Sequence, residues 1–191
     1  MYGMVNRGIE DFVVSSAGVD KWNQIKKIAD LELPEFLDSS LYNDDTTYKL
    51  VESASQVLNI APEAVLRGFG RHWILYTGRE GWASVFDLGG ENMVDFLNGL
   101  DSMHARVQIA LPDAKMPLFS VIEKNGYLEL TYRSPRPCLA PMVLGLLDGL
   151  AEQFNETWDV SLIESDSCPG CEIFHLKKNN DNPDVVTRDA A

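Results

Sequence analysis

Tyr132, Ser134 and Arg136 recur at every second position inside the run LELTYRSPRPC, residues 128–138. Side chains of an extended chain alternate between faces, so these three share one side and Arg133 takes the other. Pro135 and Pro137 keep the backbone around Arg136 extended and remove two amide donors. The shared side then offers a phenol, a hydroxyl and a guanidinium. All three can donate hydrogen bonds, and the guanidinium can grip a carboxylate with two parallel bonds. This pattern suits a carboxylate or phosphate clamp on a stiff strand end. The plainer reading is an edge strand with polar outward residues and an ion pair.

His104 follows Leu97 by seven and Leu100 by four, and precedes Val107 by three, which places it on an apolar helical stripe. Alone, that is the pattern of a buried, hydrogen-bonded core histidine. No second His or carboxylate follows at i+3 or i+4, so a metal site built from several protein ligands is not supported. One imidazole is enough, however, as axial ligand of a cofactor that brings its own remaining ligands. Haem is the obvious case. Haem also carries two carboxylates that need a clamp, so the histidine and the Tyr-x-Ser-x-Arg run explain each other.

The cysteines offer a third chemistry. Cys168 and Cys171 form a C-x-x-C in a CPGC turn, and Cys138 follows the clamp. Three thiolates suit zinc. His175 is a tempting fourth ligand, but on a regular strand its Cα lies roughly 13 Å from that of Cys171 at about 3.3 Å per residue. Asp166, Glu172 or water could take that place. The rival readings are an oxidisable thiol pair acting as a redox switch, and three free cysteines. A thioredoxin-like site does not fit, because this C-x-x-C precedes a strand and opens no helix.

The elements that must position these residues emerge from local pattern. Helices are expected over about 4–16, from Asp20 through Ile28 and from Thr46 through Leu58. Pro62 should open another in its first turn, with Val65, Phe69, Trp73 and Tyr76 at helical spacing, and a further helix should run over about 91–109. PLFSVIEKNGYLELTYRS then reads as a hairpin about Asn125-Gly126. LAPMVLGLLDGLAEQF reads as a helix, and WDVSLIES with CEIFHLK as a second hairpin. The expected class is α+β: a helical N-terminal part, then a small antiparallel sheet with a helix across it, and haem buried between them. Residues 1–177 are expected to form one haem-binding domain, with a distal helical part of about 1–65 and a proximal part with the sheet of about 66–177. Residues 178–191 read as a polar tail.

Composition narrows the partners. The 191 residues fit one domain, 45% of them apolar, with a formal net charge of −13 from 29 acidic and 16 basic residues. No basic face is available for a nucleic-acid backbone or an anionic membrane. No apolar run is long enough to span a bilayer, and the start lacks a basic signal-like segment. Three cysteines make no disulfide framework, so a reducing cytoplasm is expected.

The sequence resembles the haem–nitric oxide/oxygen binding (H-NOX) family, related to the sensor domain of soluble guanylate cyclase. The resemblance rests on His104 in LDSMHARV, Tyr132-x-Ser134-x-Arg136, the MYGMVN start, Pro117 in KMPLF, and APMVLGLLDGL, and covers essentially 1–177. It implies a gas sensor without catalysis of its own, holding haem b. His104 is the implied proximal iron ligand, and Tyr132, Ser134 and Arg136 the holders of the haem propionates. Pro117 would press on and distort the macrocycle, and Val5 would pack on it. Oxygen-binding relatives place a Tyr hydroxyl at the position that Met142 matches here, and a thioether cannot donate to oxygen. Trp73 would line the same pocket, with an indole N–H as a weaker alternative donor. Nitric oxide is therefore expected over oxygen, with carbon monoxide a further ligand. Some bacterial relatives resemble the Cys/His arrangement with zinc, though the spacing here departs from theirs. The chain ends soon after the sheet, so the expected partner is a separate histidine kinase or cyclic-di-GMP enzyme. It would respond as the iron–His104 bond weakens and the two parts shift. The competing functions are a redox sensor built on the cysteines and a haem-free anion-binding module.

Overall fold

The computed structural model describes residues 1–31, 35–77, 90–163 and 170–179. Six α-helices and one sheet carry the described chain: α1 (Gly3–Ala17), α2 (Val19–Ile28), α3 (Asp44–Leu58), α4 (Pro62–His72), α5 (Met93–Ala110), β1 (Leu118–Lys124), β2 (Tyr127–Arg133), α6 (Ala140–Gln153), β3 (Trp158–Ile163) and β4 (Cys171–Lys178). The α+β expectation holds. No helix among the described residues is long and apolar enough to cross a membrane.

The sheet is antiparallel, ordered β1-β2-β4-β3. Asn125-Gly126 makes the first turn, with Gly126 at φ 91°, a left-handed conformation that glycine adopts without steric cost. The second hairpin also forms, pairing Ser161 with His175. Leu128, Leu130 and Tyr132 of β2 and Phe174 and Leu176 of β4 point to one face, where they join Met93, Phe96, Leu97 and Leu100 of α5 and Val143, Leu147 and Leu150 of α6. A second core lies among α1–α4, built on Ile9, Val13, Trp22, Ile25, Leu50 and Phe69. Two partly buried side chains, Trp73 and Leu139, pack against both cores.

Three local expectations need correction. Helix α3 starts before Thr46, because the Asn43 side chain accepts from the Asp45 amide at 3.1 Å and caps it there. Asp44 and Asp45 then fall in the first turn, where the helix dipole favours acids. Helix α2 begins at Val19 with Gly18 at its N-cap, so Asp20 lies inside the first turn. Helix α4 ends at His72 and widens into a π-helical turn, Trp73–Thr77. The wider turn rotates the side chains beyond Trp73 about the helix axis, so Ile74 is buried and Tyr76 is 57% exposed instead of continuing the stripe. At the other end, Lys178 belongs to β4 and pairs with Glu156 at 2.6 Å; most of the expected tail lies outside the described residues.

Helices α4 and α6 cross at backbone contact. A Cβ on Gly70 would land on the Met142 carbonyl oxygen, and one on Gly149 would lie 3.0 Å from the Arg71 carbonyl. Two ion pairs flank the crossing. Arg67 grips Asp148 through Nε at 2.6 Å and Nη2 at 3.0 Å, and Arg71 reaches Glu152 through Nε at 2.9 Å.

Candidate functional site

A cavity of about 270 Å³ lies between the two cores. Val5 from α1, Trp73 from the π turn, His104 from α5, Pro117, Tyr132 from β2, Ser134, Arg136 and Met142 from α6 all line it. They converge there from stretches far apart in the chain. Arg133 does not line it, as the alternation along β2 requires.

His104 owes its position to the way α5 is used. The first half of the helix is buried against the sheet through Met93, Phe96, Leu97 and Leu100. The second half leaves that core, and His104 is half-buried on the cavity wall instead of being packed in the core. Its Nδ1 is buried without a hydrogen-bond partner. Burial pushes the imidazole below its ordinary pKa, with the Asp101 charge and the Pro117 backbone carbonyl pulling it back up. A neutral imidazole keeps one nitrogen lone pair for a metal or a donor. The ring leans on Phe119, centroids 5.8 Å apart, and Phe119 on Tyr132 at 5.2 Å.

The clamp lies at the end of β2. Tyr132 is buried, which pushes its phenol pKa up and keeps it a donor; the Ser134 hydroxyl partly offsets this. The strand stops at Arg133. Beyond it the Ser134 hydroxyl accepts from the Arg136 amide at 3.0 Å and folds the segment so that Arg136 faces the same cavity. The guanidinium donates through Nε and Nη2 to Asp44 at 2.9 and 3.3 Å, and through Nη1 to the Lys115 carbonyl at 2.9 Å. Asp44 is the residue that sequence reasoning missed. It is 92 residues from Arg136, and nothing local marks it beyond the general need of a half-buried arginine for a partner.

The cavity is thus apolar along its length and polar at the clamp end, with the His104 imidazole on its wall. A flat apolar disc with carboxylates on one edge and a metal at its centre would meet each of these features. The family model for haem-NO-binding proteins matches residues 2–162. The chain belongs to that family. Among curated relatives, this haem-NO-binding chain is 29% identical over 161 residues to soluble guanylate cyclase gcy-35 of Caenorhabditis elegans. It is 30% identical over 168 residues to gcy-34 of the same organism. These matches cover 82% and 85% of this chain but 23% and 24% of the cyclases, so it spans about a quarter of their length. Solved structures share the fold. An H-NOX protein from S. oneidensis in the Fe(II)NO state superposes with a TM-score of 0.83 at 22% identity, covering 94% of this chain and 100% of that one. An oxygen-binding H-NOX domain gives 0.78 at 22% identity, covering 94% and 96%.

The cysteines of this haem-NO-binding chain do not strengthen the zinc reading. Cys138 is free and exposed, in a left-handed backbone conformation at φ 63°. Cys171 is disulfide-bonded, and a disulfide sulfur is no thiolate ligand. Cys168 and Asp166 lie outside the described residues. Among the described residues no three His, Cys, Asp or Glu side chains are grouped to hold a metal. His175 sits over Tyr127, centroids 4.4 Å apart, with Nε2 3.5 Å from Glu129. Glu172 pairs across the ladder with Tyr132.

Proposed function

We propose that this domain senses nitric oxide through haem b held in the cavity between the two cores, with His104 as the residue that would hold its iron. The observation that carries the reading is the His104 imidazole, held toward its neutral form by burial, on the wall of an apolar cavity whose polar groups are gathered at one end. Haem, when bound, would supply an iron able to take a diatomic gas. Tyr132, Ser134 and Arg136 hold the carboxylate edge with three donors. Pro117 and Val5 press on the two apolar faces. Trp73 and Met142 shape the gas side, where Met142 offers no hydrogen-bond donor and the Trp73 indole offers one. Nitric oxide and carbon monoxide need no such donor, whereas oxygen benefits from one.

The signal is carried by α5. Its first half is fixed in the sheet core and its second half, with Met103, His104 and Val107, is only partly buried. Were His104 no longer held, that second half would relax, and the helical part, about residues 1–65, would move against the remainder, about 66–177. A separate partner, of the histidine kinase or cyclic-di-GMP enzyme class, reads the difference only if it binds the two states unequally.

Ferrous, haem-loaded protein tests the reading. Nitric oxide should give at once a nitrosyl spectrum of the five-coordinate type, which reports release of His104. Air should leave the ferrous spectrum in place or oxidise it slowly. A stable oxygen adduct in air would overturn the choice of gas, and a six-coordinate nitrosyl that persists would overturn the release step.

A further inference from the structure

The clamp is held by side chains of α3. Asp44 and Tyr48 are one helical turn apart and share a face. Asp44 takes the Nε–Nη2 edge of Arg136, and the Tyr48 hydroxyl donates to the Pro137 carbonyl at 2.9 Å. Both contacts reach the same short segment from a helix whose buried residues Leu50, Val51 and Ala54 belong to the other core. The Arg136 side chain is 14% exposed and that of Asp44 36%.

A guanidinium carries five N–H bonds. Asp44 uses Nε–H and one on Nη2, and the Lys115 carbonyl uses one on Nη1. One N–H remains on each terminal nitrogen. These are enough for a second carboxylate, gripped end-on, while Asp44 keeps the side-on edge. The donor count therefore favours a carboxylate that fixes the rotation of the fork over one that occupies the place of a ligand. Burial raises the Asp44 carboxyl, but hydrogen bonds from the amino terminus and Arg136 outweigh it and hold the group below its ordinary value, hence ionised at neutral pH.

We propose that Asp44 is the positioning residue of the clamp, holding one edge of Arg136 so that its remaining donors meet the carboxylates of the haem. The proposal rests on the reading of Arg136 as a haem carboxylate ligand, and the experiment separates the two. Haem loss from the ferric, haem-loaded full chain is timed by transfer to excess apomyoglobin. The variants are Asp44→Asn, Asp44→Glu, Arg136→Ala, the Asp44→Asn/Arg136→Ala double variant, and Arg133→Ala as a variant of the opposite face. Asp44→Asn should speed loss on the order of tenfold, the size expected for coupled contacting groups. Asp44→Glu should restore part of the slow rate, and Asp44→Asn should add nothing once Arg136 is gone. Arg133→Ala should stay near wild type. If Arg136→Ala speeds loss and Asp44→Asn does not, or acts equally in both backgrounds, the proposal falls and the clamp stands. Slower loss in Asp44→Asn would make Asp44 a competitor and overturn it too. If Arg136→Ala and Arg133→Ala lose haem at the same rate, the clamp reading falls and the proposal with it.

Discussion

Gly145 of α6 lies directly against the backbone of Arg67 in α4, so close that a Cβ at 145 would fall on the Arg67 carbonyl oxygen. Backbone cannot step aside as a long side chain can. Gly145→Ala should therefore part the two helices and cost at least ~1–3 kcal/mol of stability, the usual range for overpacking. A urea titration of the apoprotein measures it. A neutral result would mean that the crossing is loose. Because the same helices carry Met142 and lead into Trp73, the variant should also alter the carbon monoxide off-rate of the loaded protein.

His104→Gly should lose stable haem in ordinary buffer and regain it when free imidazole is supplied, because the cavity left by the ring accepts the small ligand. The Soret band reads both states. A wild-type spectrum without imidazole would remove His104 as the ligand.

Met142→Tyr should strengthen oxygen binding. An acceptor left without a donor in an apolar site loses on the order of 1–3 kcal/mol, about tenfold to a hundredfold in affinity. The phenol has to fit beside Trp73, which lines the same cavity. Oxygen titration of the ferrous variant against wild type checks this, and an unchanged affinity would show that Met142 does not face the gas.

The Asp44 carboxyl has a folded pKa below its ordinary 3.8, despite burial that raises it, because hydrogen bonds from the amino terminus and Arg136 favour the ionised form. A depressed carboxyl contributes stability that is fully present above the unfolded value and disappears as the pH falls through the folded one. The stability gap between wild type and Asp44→Asn should thus be constant from neutral pH down to about pH 5 and close below the ordinary value of 3.8. With the carboxylate a third exposed, the gap should not exceed ~1 kcal/mol. A gap that widens in acid would reverse the sign.

Much of the fold and site was legible because it is local. Period-two alternation separated Tyr132 from Arg133, the Asn125-Gly126 pair marked the hairpin, and Pro62 marked the start of α4. Arg136 lies beyond the end of the strand and reaches the cavity through the turn that the Ser134 hydroxyl makes, which alternation did not foresee. His104 lay on a helical stripe, yet the stripe alone made it a core residue; that the second half of α5 leaves the core depends on tertiary packing. The π turn was invisible, since the stripe through Tyr76 continues a 3.6 period that the backbone abandons at Trp73. The start of α3 was set at Thr46 because threonine is a good capping residue; that Asn43 caps it instead depends on where the preceding chain enters. Asp44 could not be found at all, because its meaning comes only from Arg136, brought to it by the fold.

Trp73 and Leu139 pack against both cores, and α4 of one core meets α6 of the other at backbone contact. Stripped of haem, the molecule should therefore still melt as one cooperative unit, with van't Hoff and calorimetric enthalpies in agreement. Filled, the cavity becomes a further buried contact common to both cores, and the same single transition should move to higher temperature. The cofactor would then act as a wedge that tightens an already continuous fold, and loaded and empty protein would differ in lifetime.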